Sequence, residues 1–247
     1  MNHARSAPSA GYLARAGSLL ERQLAGAAAG TEAASTPHIE DMVARVAAES
    51  GWAAFPRPYR VMKRALDIAV ASVGLVLLAP LMLAIALLVR LDSPGPAFFR
   101  QARVGQGGRP FQMLKFRSMV HGCGLRLDGP HKCPDDVRIT RVGRLLRRTS
   151  LDELPQLINV LRGEMSLVGP RPEIPAIVLA RYQPWQYRRF LVPQGMTGWW
   201  QVTGRGTKLL CEHIEDDLYY LEHASLRFDL LILAKTVGAV LRREGAF

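Results

Sequence analysis

The chain has 247 residues and a formal net charge of +11, so it is long enough for one good-sized domain with extensions. This much positive charge favours an anionic partner, which could be nucleic acid, a membrane surface or a phosphorylated substrate. The sequence contains no zinc-finger, homeodomain or RNP pattern, so we expect no nucleic-acid partner. Its three cysteines, an odd number at irregular spacing, argue against a secreted disulfide framework.

Residues 1–55 are predicted to form an extension to the main domain. Ala, Gly and Ser are abundant up to about residue 35, which favours partial disorder. Thr36 and Pro37 then have the pattern of a helix cap followed by a first-turn proline. An apolar stripe at helical spacing continues to near Gly51, and its members are Ile39, Met42, Val43 and Val46. The extension is therefore predicted to be partly helical and partly disordered.

The segment from Ile68 to Val89 contains 22 residues without a charge. At 1.5 Å per residue it would be about 33 Å long as a helix, which is enough to cross a bilayer. Pro80 lies near its middle and should bend or break the helix. Basic residues flank both ends, so the positive-inside tendency assigns no orientation. On hydropathy alone, a spanning helix and a re-entrant segment remain open alternatives.

Two short aromatic and basic runs, residues 98–103 and 110–119, follow the apolar segment. They are separated by Gly105-Gln106-Gly107-Gly108, a combination typical of tight turns, so a small β-hairpin is predicted. The next segment, residues 122–134, is predicted to be a flexible loop. Four potential metal ligands lie in or beside it, but zinc pairs usually have a wider gap. These residues are His121, Cys123, His131 and Cys133.

Residues 150–163 are predicted to form a short amphipathic helix, with apolar residues at helical intervals and Gly163 after its end. Ser150 and Glu153 have capping-box spacing, whereas a cap at Asp152 would place Pro155 in the tolerant first turn. Under either assignment Asp152 and Glu153 lie at the positive end of a helix. The helix dipole and the arginines just upstream should both favour ionised carboxylates.

The last third of the chain contains two segments that we interpret as membrane-surface elements. Tyr182, Trp185 and Tyr187 lie among arginines, a pattern that suits a membrane interface better than base stacking. Residues 229–243 combine leucines and valines with basic residues, and should lie along the headgroups or pack on the catalytic helices. The predicted fold class is α+β, mainly helical.

Three long motifs occur in order: TSLDELPQL at residues 149–157, MSLVGPRP at 165–172, and GMTGWWQVTGR at 195–205. With them, the chain from about Arg60 onwards resembles the bacterial sugar transferases that act on polyprenyl phosphate, the monotopic phosphoglycosyl transferases. The resemblance implies a monotopic membrane protein with a catalytic domain over residues 56–247. It also implies interfacial amphipathic helices and a re-entrant helix-break-helix at about residues 65–91, with the membrane break at Pro80.

The resemblance implies that Asp152 attacks the sugar-linked phosphorus of a UDP-sugar and releases UMP. Polyprenyl phosphate, such as undecaprenyl phosphate, would then take the phosphosugar from the aspartate. Glu153 would be the metal ligand and Mg²⁺ the cofactor, since Mg²⁺ prefers few carboxylates plus substrate phosphate. The expected substrate-phosphate residues are Arg103, Lys115, Arg117, Arg147, Arg171, Arg205 and, as a weaker candidate, Asp217.

The expected partners are thus a UDP-sugar, polyprenyl phosphate and membrane lipid, and the sequence leaves homo-oligomer formation open. The expected location is the bacterial inner membrane, with the catalytic domain facing the cytoplasm. The product would start a lipid-linked glycan for exopolysaccharide or a related glycoconjugate. Two alternatives remain: a basic membrane-surface scaffold without turnover, and a nucleotide-sugar hydrolase that uses the same carboxylates.

Overall fold

Helices make up most of the computed structural model, which describes residues 32–47, 51–123, 136–204 and 213–242. The α-helices are α1 (Glu32–Ala47), α2 (Arg57–Asp92), α3 (Arg141–Thr149), α4 (Gln156–Arg162), α5 (Pro175–Arg181), α6 (Trp199–Gly204), α7 (Glu215–His223) and α8 (Leu226–Arg242). The strands are β1 (Phe98–Val104), β2 (Pro110–Phe116), β3 (Ser166–Val168) and β4 (Gly195–Thr197). This arrangement confirms the mainly helical α+β class.

Helix α2 is long and apolar enough to cross a membrane by length and composition, and within the described ranges no other helix meets this test. Only 11% of its most apolar window is buried. The helix continues through Pro80 without interruption, so the predicted helix-break-helix is not found. A proline removes one backbone hydrogen bond, but its fixed φ is compatible with a helix, so the helix can continue past it.

Both halves of α2 pack against the same domain. In the first half, the Arg64 guanidinium donates hydrogen bonds to the carbonyls of Val160 and Leu161, at the end of α4. In the second half, Ile85 and Val89 are buried in an apolar cluster with residues of β2 and α3. The side chains that protrude between these attachments are mostly apolar and exposed. A single domain therefore holds both ends of the apolar helix.

Strands β1 and β2 form the predicted hairpin. Their antiparallel register runs from Phe98 opposite Phe116 to Val104 opposite Pro110. A 3₁₀ turn, Gln106–Gly108, connects the strands, and Gly107 there has a φ of 70°, which favours glycine. Side chains two residues apart share one face of a strand, so this register places Arg103 and Lys115 on the same face of the hairpin.

Helix α1 belongs to the folded domain. Its Ile39 and Val43 are buried in an apolar cluster with Val104, Phe190 and other residues. The helix runs from Glu32 to Ala47, so the predicted cap at Thr36 and end near Gly51 are both wrong. Pro37 lies inside the helix because its fixed φ is compatible with helical geometry. The predicted disorder concerns mainly residues 1–31, which lie outside the described part.

The aromatic segment of residues 182–187 is mostly core rather than membrane interface. Tyr182 and Tyr187 are buried, and they pack edge to face against each other. Only Trp185 is exposed among the three aromatics of the predicted interface. The interface interpretation is therefore wrong for the two tyrosines, because a 3₁₀ helix, Pro184–Leu191, turns one face of the segment into the domain.

Helix α8 packs on the domain through one face and exposes apolar side chains on another. Ile232 is fully buried, whereas Leu230 and Leu231 are about half exposed. Asp229, in the first turn of this helix, is fully buried. A helix that lay only along the membrane surface would not bury a carboxylate without a partner. The sequence left two placements open for this segment, along the headgroups or against the catalytic helices. The structure shows packing against the domain.

Candidate active site

Asp152 and Glu153 lie in a 3₁₀ turn, Leu151–Glu153, between α3 and α4. Ser150 ends α3 in the left-handed conformation, with a φ of 58°, and its carbonyl accepts the Glu153 N–H. The α-helix begins only at Gln156, so the acid pair lies in the first turn of a 3₁₀ helix that follows Ser150 rather than in the α-helix itself. Gly163 ends α4 in the left-handed conformation, as predicted. The ionisation of the acid pair must therefore be explained mainly by neighbouring cations.

Glu153 is held by two cations from different parts of the chain. Its Oε1 accepts hydrogen bonds from Lys115 Nζ at 2.9 Å and from Arg171 Nη2 at 2.8 Å. Lys115 comes from the hairpin strand β2, and Arg171 follows β3 in the motif MSLVGPRP. All three side chains are largely shielded from solvent. Sequence motifs that are far apart along the chain thus meet at one carboxylate oxygen.

The electrostatics of this cluster favour an ionised Glu153. Burial by itself raises the pKa of Glu153, but Arg171 and Lys115 outweigh it and hold that pKa well below its usual value. Burial lowers the pKa of Lys115, whereas the charge of Glu153 opposes that effect. Lys115, Arg171 and the nearby Arg147 outnumber the carboxylates of Asp152 and Glu153 by one, and this net positive charge suits an anionic ligand.

Asp152 has different surroundings from its neighbour. Its side chain is buried, with 8% exposure, yet the described residues give its carboxylate no hydrogen-bond or ion-pair partner. Burial raises the pKa of Asp152, and the charges of Lys115, Arg147 and Arg171 oppose this rise while Glu153 adds to it. A carboxylate with a raised pKa and unused lone pairs is a better nucleophile than one that is fully hydrogen-bonded.

Two further arginines lie near the acid pair. Arg147, in the last turn of α3, is half-buried, and within the described part of the chain its guanidinium has no hydrogen-bond or ion-pair partner. Arg103 lies on the hairpin and contacts Glu173 Oε1 at 3.4 Å and the Pro172 carbonyl at 3.1 Å. Burial lowers the pKa of Arg103 to about 10, against the opposing charge of Glu173. Arg147 is thus the more available cation.

A buried asparagine that the sequence did not single out fixes the strand that carries Lys115. Asn159 Oδ1 accepts the backbone N–H of Leu114 at 2.9 Å, and its Nδ2 donates to the Gln112 carbonyl at 2.8 Å. Asn159 is fully buried in α4, directly after the acid pair. The one available sequence signal was a polar residue between the apolar positions of this short helix. Its bonds fix β2 against α4 beside Glu153.

A model of the bacterial sugar transferase family matches residues 58–243. The chain belongs to the bacterial sugar transferase family. The match includes every residue of the acid pair and its cations, and it begins after helix α1.

Three relatives show the extent of the similarity. UDP-N-acetylgalactosamine-undecaprenyl-phosphate N-acetylgalactosaminephosphotransferase of Aeromonas hydrophila is 43% identical over 205 residues, which cover 77% of this chain and 46% of the relative. UDP-glucose:undecaprenyl-phosphate glucose-1-phosphate transferase of Caulobacter vibrioides is 46% identical over 196 residues, covering 75% and 72%. The protein of the same name from Escherichia coli is 44% identical over 191 residues, covering 72% and 40%. This sugar transferase chain spans less than half the length of two of them.

Two residues expected to bind substrate phosphate make contacts inside the fold of this family member instead. The Arg117 guanidinium donates to the carbonyls of Val89, Ser93 and Pro94, where α2 ends, so it closes the helix rather than facing a ligand. Asp217 is fully buried and paired with Arg189 at 2.7 Å. A buried carboxylate that is already paired is not a phosphate-binding group, so both assignments are corrected. Arg205 lies outside the described residues.

The acid pair fits the magnesium ion that the sugar transferase motifs imply. Glu153 Oε1 is occupied by two cations, but Oε2 has no hydrogen bond and remains accessible within the described structure. Mg²⁺ is typically bound by one or two carboxylates together with substrate phosphates, so one free carboxylate oxygen is sufficient. No group of three or more His, Cys, Asp or Glu residues in the described ranges could hold a metal without a substrate.

The loop with His and Cys residues is only partly described in this sugar transferase. His121 and Cys123 lie in its described part, and Cys123 is a free cysteine. His131 and Cys133 lie outside the described residues, so the expectation of a metal-free loop stays a prediction.

Proposed function

We propose that the chain transfers a phosphosugar from a UDP-sugar to polyprenyl phosphate, through a covalent intermediate on Asp152. The observation that carries this proposal is the contrast within the acid pair. Asp152 is buried and unpaired beside several cations, whereas its neighbour Glu153 is neutralised by two of them. The three relatives described above act on undecaprenyl phosphate and a UDP-sugar or its phosphosugar by name, which supports the same substrate classes here.

The proposed reaction has two displacements at one phosphorus. A carboxylate oxygen of Asp152 attacks the phosphorus bonded to the sugar, and the bond from that phosphorus to the bridging oxygen breaks. UMP leaves with the electron pair. A phosphate oxygen of the polyprenyl phosphate then attacks the same phosphorus, and the bond to Asp152 breaks. The products are polyprenyl diphosphate-sugar and UMP, and the Asp152 carboxylate is restored.

The cations around the acid pair have the roles that phosphoryl transfer requires. Charge develops on the phosphoryl oxygens, so the protein must position positive groups around them. Arg147 has an unused guanidinium, and together with Arg171 and Lys115 it outnumbers the two carboxylates of the acid pair by one. Guanidinium groups suit this role because their fork of donors matches phosphate geometry. We assign Arg147 and Arg171 to the phosphates of the donor.

Glu153 would hold Mg²⁺ through its accessible oxygen, Oε2. The ion would supply positive charge to the diphosphate of the donor when bound. The residues of this chain do the remaining work: Lys115 and Arg171 orient the Glu153 carboxylate by binding its other oxygen. Asp152 and Glu153 therefore have separate tasks, which explains why two adjacent carboxylates are present.

The proposed membrane placement is re-entrant, with both ends of α2 at the cytoplasmic face of the bacterial inner membrane. It is supported by the attachment of both halves of α2 to the domain that contains Asp152. A helix held at both ends by one domain, and bent at Pro80 within its exposed apolar part, would enter and leave the bilayer on the same side. The membrane-facing part would be the exposed apolar surface around Val76 and Leu83.

The test is UMP release by purified full-length protein with a panel of UDP-sugars, with and without polyprenyl phosphate. We expect UMP and a lipid-linked product from at least one donor, and Asp152→Asn should lower release to background. With a radiolabelled sugar and no acceptor, wild type should retain label on Asp152. Release of free sugar without lipid product would instead support the hydrolase, and no turnover would support the scaffold. Asp41→Asn is the matched control, because Asp41 is exposed on α1 and lies outside the family match.

A further inference from the structure

Arg189 has all its described contacts inside the domain and none with solvent. Its side chain is 0% exposed, and it donates to Asp217 Oδ2 through Nε at 2.9 Å and to the Tyr182 hydroxyl through Nη1 at 2.6 Å. Its third contact is a hydrogen bond from Nη2 to the backbone carbonyl of Arg171. The guanidinium also lies 5.3 Å from the ring centre of Phe190. Burying a guanidinium group costs desolvation free energy, so the contacts of Arg189 must offset that cost and call for a structural or functional reason.

The Arg171 backbone has few other ways to be held in place. Pro170 and Pro172 flank it, and a proline has no N–H to donate. The segment is therefore anchored through its carbonyls: Pro170 accepts the Gly195 N–H at 2.8 Å, Pro172 accepts from Arg103 at 3.1 Å, and Arg171 itself accepts from Arg189. The β4 strand and Arg103 thus hold the two flanking prolines, and Arg189 holds Arg171 itself. From this anchored backbone the side chain of Arg171 extends to Glu153.

We infer that Arg189 is a positioning residue for Arg171: by holding the Arg171 carbonyl, it aims the Arg171 guanidinium at Glu153 and the donor phosphates. This inference rests on the proposed function of Arg171. Arg189 touches neither Glu153 nor a site for substrate, so it acts only through Arg171. Arg189 lies on the 3₁₀ helix Pro184–Leu191, and its contacts with Tyr182 after α5, with Asp217 in α7 and with the loop after β3 fix its direction.

Asp217 has a matching task. It supplies the negative charge that allows Arg189 to be buried: its Oδ2 accepts a hydrogen bond from Arg189 Nε and lies 2.7 Å from Nη2. A lysine at position 189 would keep one positive charge for Asp217. It would not bind Asp217, Tyr182 and the Arg171 carbonyl together, because an ammonium group lacks the planar fork of donors. The Arg189→Lys variant therefore separates the buried charge from the positioning contact.

The test is a double-mutant cycle with Arg189→Lys and Arg171→Ala, measured as UDP affinity by calorimetry and as donor KM and kcat. We expect Arg189→Lys to weaken UDP binding and raise the donor KM by about tenfold, with a smaller effect on kcat. Because Arg189 acts through Arg171, the double variant should bind UDP no more weakly than Arg171→Ala alone. Additive losses of affinity, or an effect confined to kcat, would overturn the inference.

A matched control makes the same change at another guanidinium that binds backbone carbonyls. Arg64→Lys weakens the contacts with the Val160 and Leu161 carbonyls, and its effect on UDP affinity should be small and additive with Arg171→Ala. If Arg189→Lys does not fold, as judged by thermal unfolding, Tyr182→Phe removes a single contact of Arg189 and takes its place in the cycle, with the same criterion. Absence of turnover in wild type refutes the proposed function, whereas the UDP-binding cycle still decides the role of Arg189.

Discussion

Lys63 in the apolar helix α2 and Asp229 in α8 form a buried ion pair, with 3.0 Å between Nζ and Oδ2. Lys63 also donates to the Val168 carbonyl in β3, and the hydroxyls of Tyr59 and Tyr220 donate to Asp229. The pair thus joins the apolar helix, the last helix and the strand that leads to Arg171. Such a pair is a weak source of net stability, but loss of one partner leaves an uncompensated buried charge.

Removing one member of this pair should therefore lower the free energy of unfolding much more than removing both. Asp229→Leu should lower the free energy of unfolding by about 3–5 kcal/mol, and Lys63→Met with Asp229→Leu should recover a large part of that loss. Thermal and denaturant unfolding in detergent measure both effects. A double variant as unstable as the worse single one would contradict this account. Asp41→Asn provides the control, since Asp41 is exposed on α1 and its replacement should change stability little.

Glu153→Gln should keep the shape of the acid pair but remove its charge. Lys115 and Arg171 would then lose their anionic partner, and the amide would be a poor ligand for Mg²⁺. We expect turnover to fall by at least about a hundredfold and the magnesium concentration for half-maximal activity to rise. Titrating Mg²⁺ against UMP release measures both. An unchanged magnesium dependence would remove Glu153 from the metal site. Glu164→Gln is the control for a nearby carboxylate that contacts Asn159.

The re-entrant placement of α2 predicts the same labelling side for both of its ends. In a variant with Cys123, Cys133 and Cys211 replaced by serine, single cysteines at Arg57 and Pro96 should react with a membrane-impermeant thiol reagent only from the cytoplasmic side. Both positions are exposed, so reactivity reports on side rather than on burial.

A cysteine at Leu83 is the internal control for this labelling. Leu83 is 73% exposed in the protein but would lie among lipid chains, so it should resist the polar reagent until detergent is added. Labelling of the Arg57 and Pro96 positions from opposite sides would establish a spanning helix instead.

Asp217 should make stability depend on pH in a defined direction. Burial raises the pKa of Asp217 to about 6, and Arg189 opposes that rise while Asp216 and Glu173 add to it. The folded state therefore takes up a proton at a higher pH than the unfolded chain does. Since the folded pKa is the raised one, this carboxyl favours folding increasingly as the pH falls from about 6 to about 4.

The comparison with Asp217→Asn isolates this effect from other titrating groups. The wild type should gain stability relative to the variant as the pH is lowered through this window, as measured by denaturant unfolding at several pH values. A constant difference between the two proteins from pH 4 to pH 7 would show that Asp217 has an ordinary pKa. Glu222→Gln is the control, because Glu222 lies on the same helix, is exposed and does not contribute to the raised pKa of Asp217.

The sequence was sufficient for the parts of the fold that local patterns determine. Glycines between two aromatic runs predicted the hairpin, and Gly163 predicted the end of α4, because both depend on neighbouring residues alone. The motifs also selected Lys115, Glu153 and Arg171 as members of one site. Their meeting at one oxygen was not predictable, since the three residues lie on separate elements.

The errors have a common physical cause. The family motif predicts a ligand contact for Arg117 and the aromatic pattern predicts a membrane contact for Tyr187, but both side chains are buried and their contacts are set by tertiary packing. The sequence alone does not distinguish an arginine that binds a phosphate from one that donates to the carbonyls at the end of a helix. Likewise, the left-handed backbone at Ser150 shifted the helix start by several residues, and no glycine signalled it.

Helix α1 has a consequence for the order in which this protein is made. Its buried residues Ile39 and Val43 pack against Val104, Phe190 and Ile214, all of which leave the ribosome later. A Cβ atom added to Gly108 would lie 3.0 Å from the Glu40 backbone, so the hairpin turn packs closely against α1. Proteolysis of stalled nascent chains should therefore find α1 unprotected until residues beyond Ile214 have emerged. The first helix of the described chain to be synthesised is therefore among the last to pack against the domain.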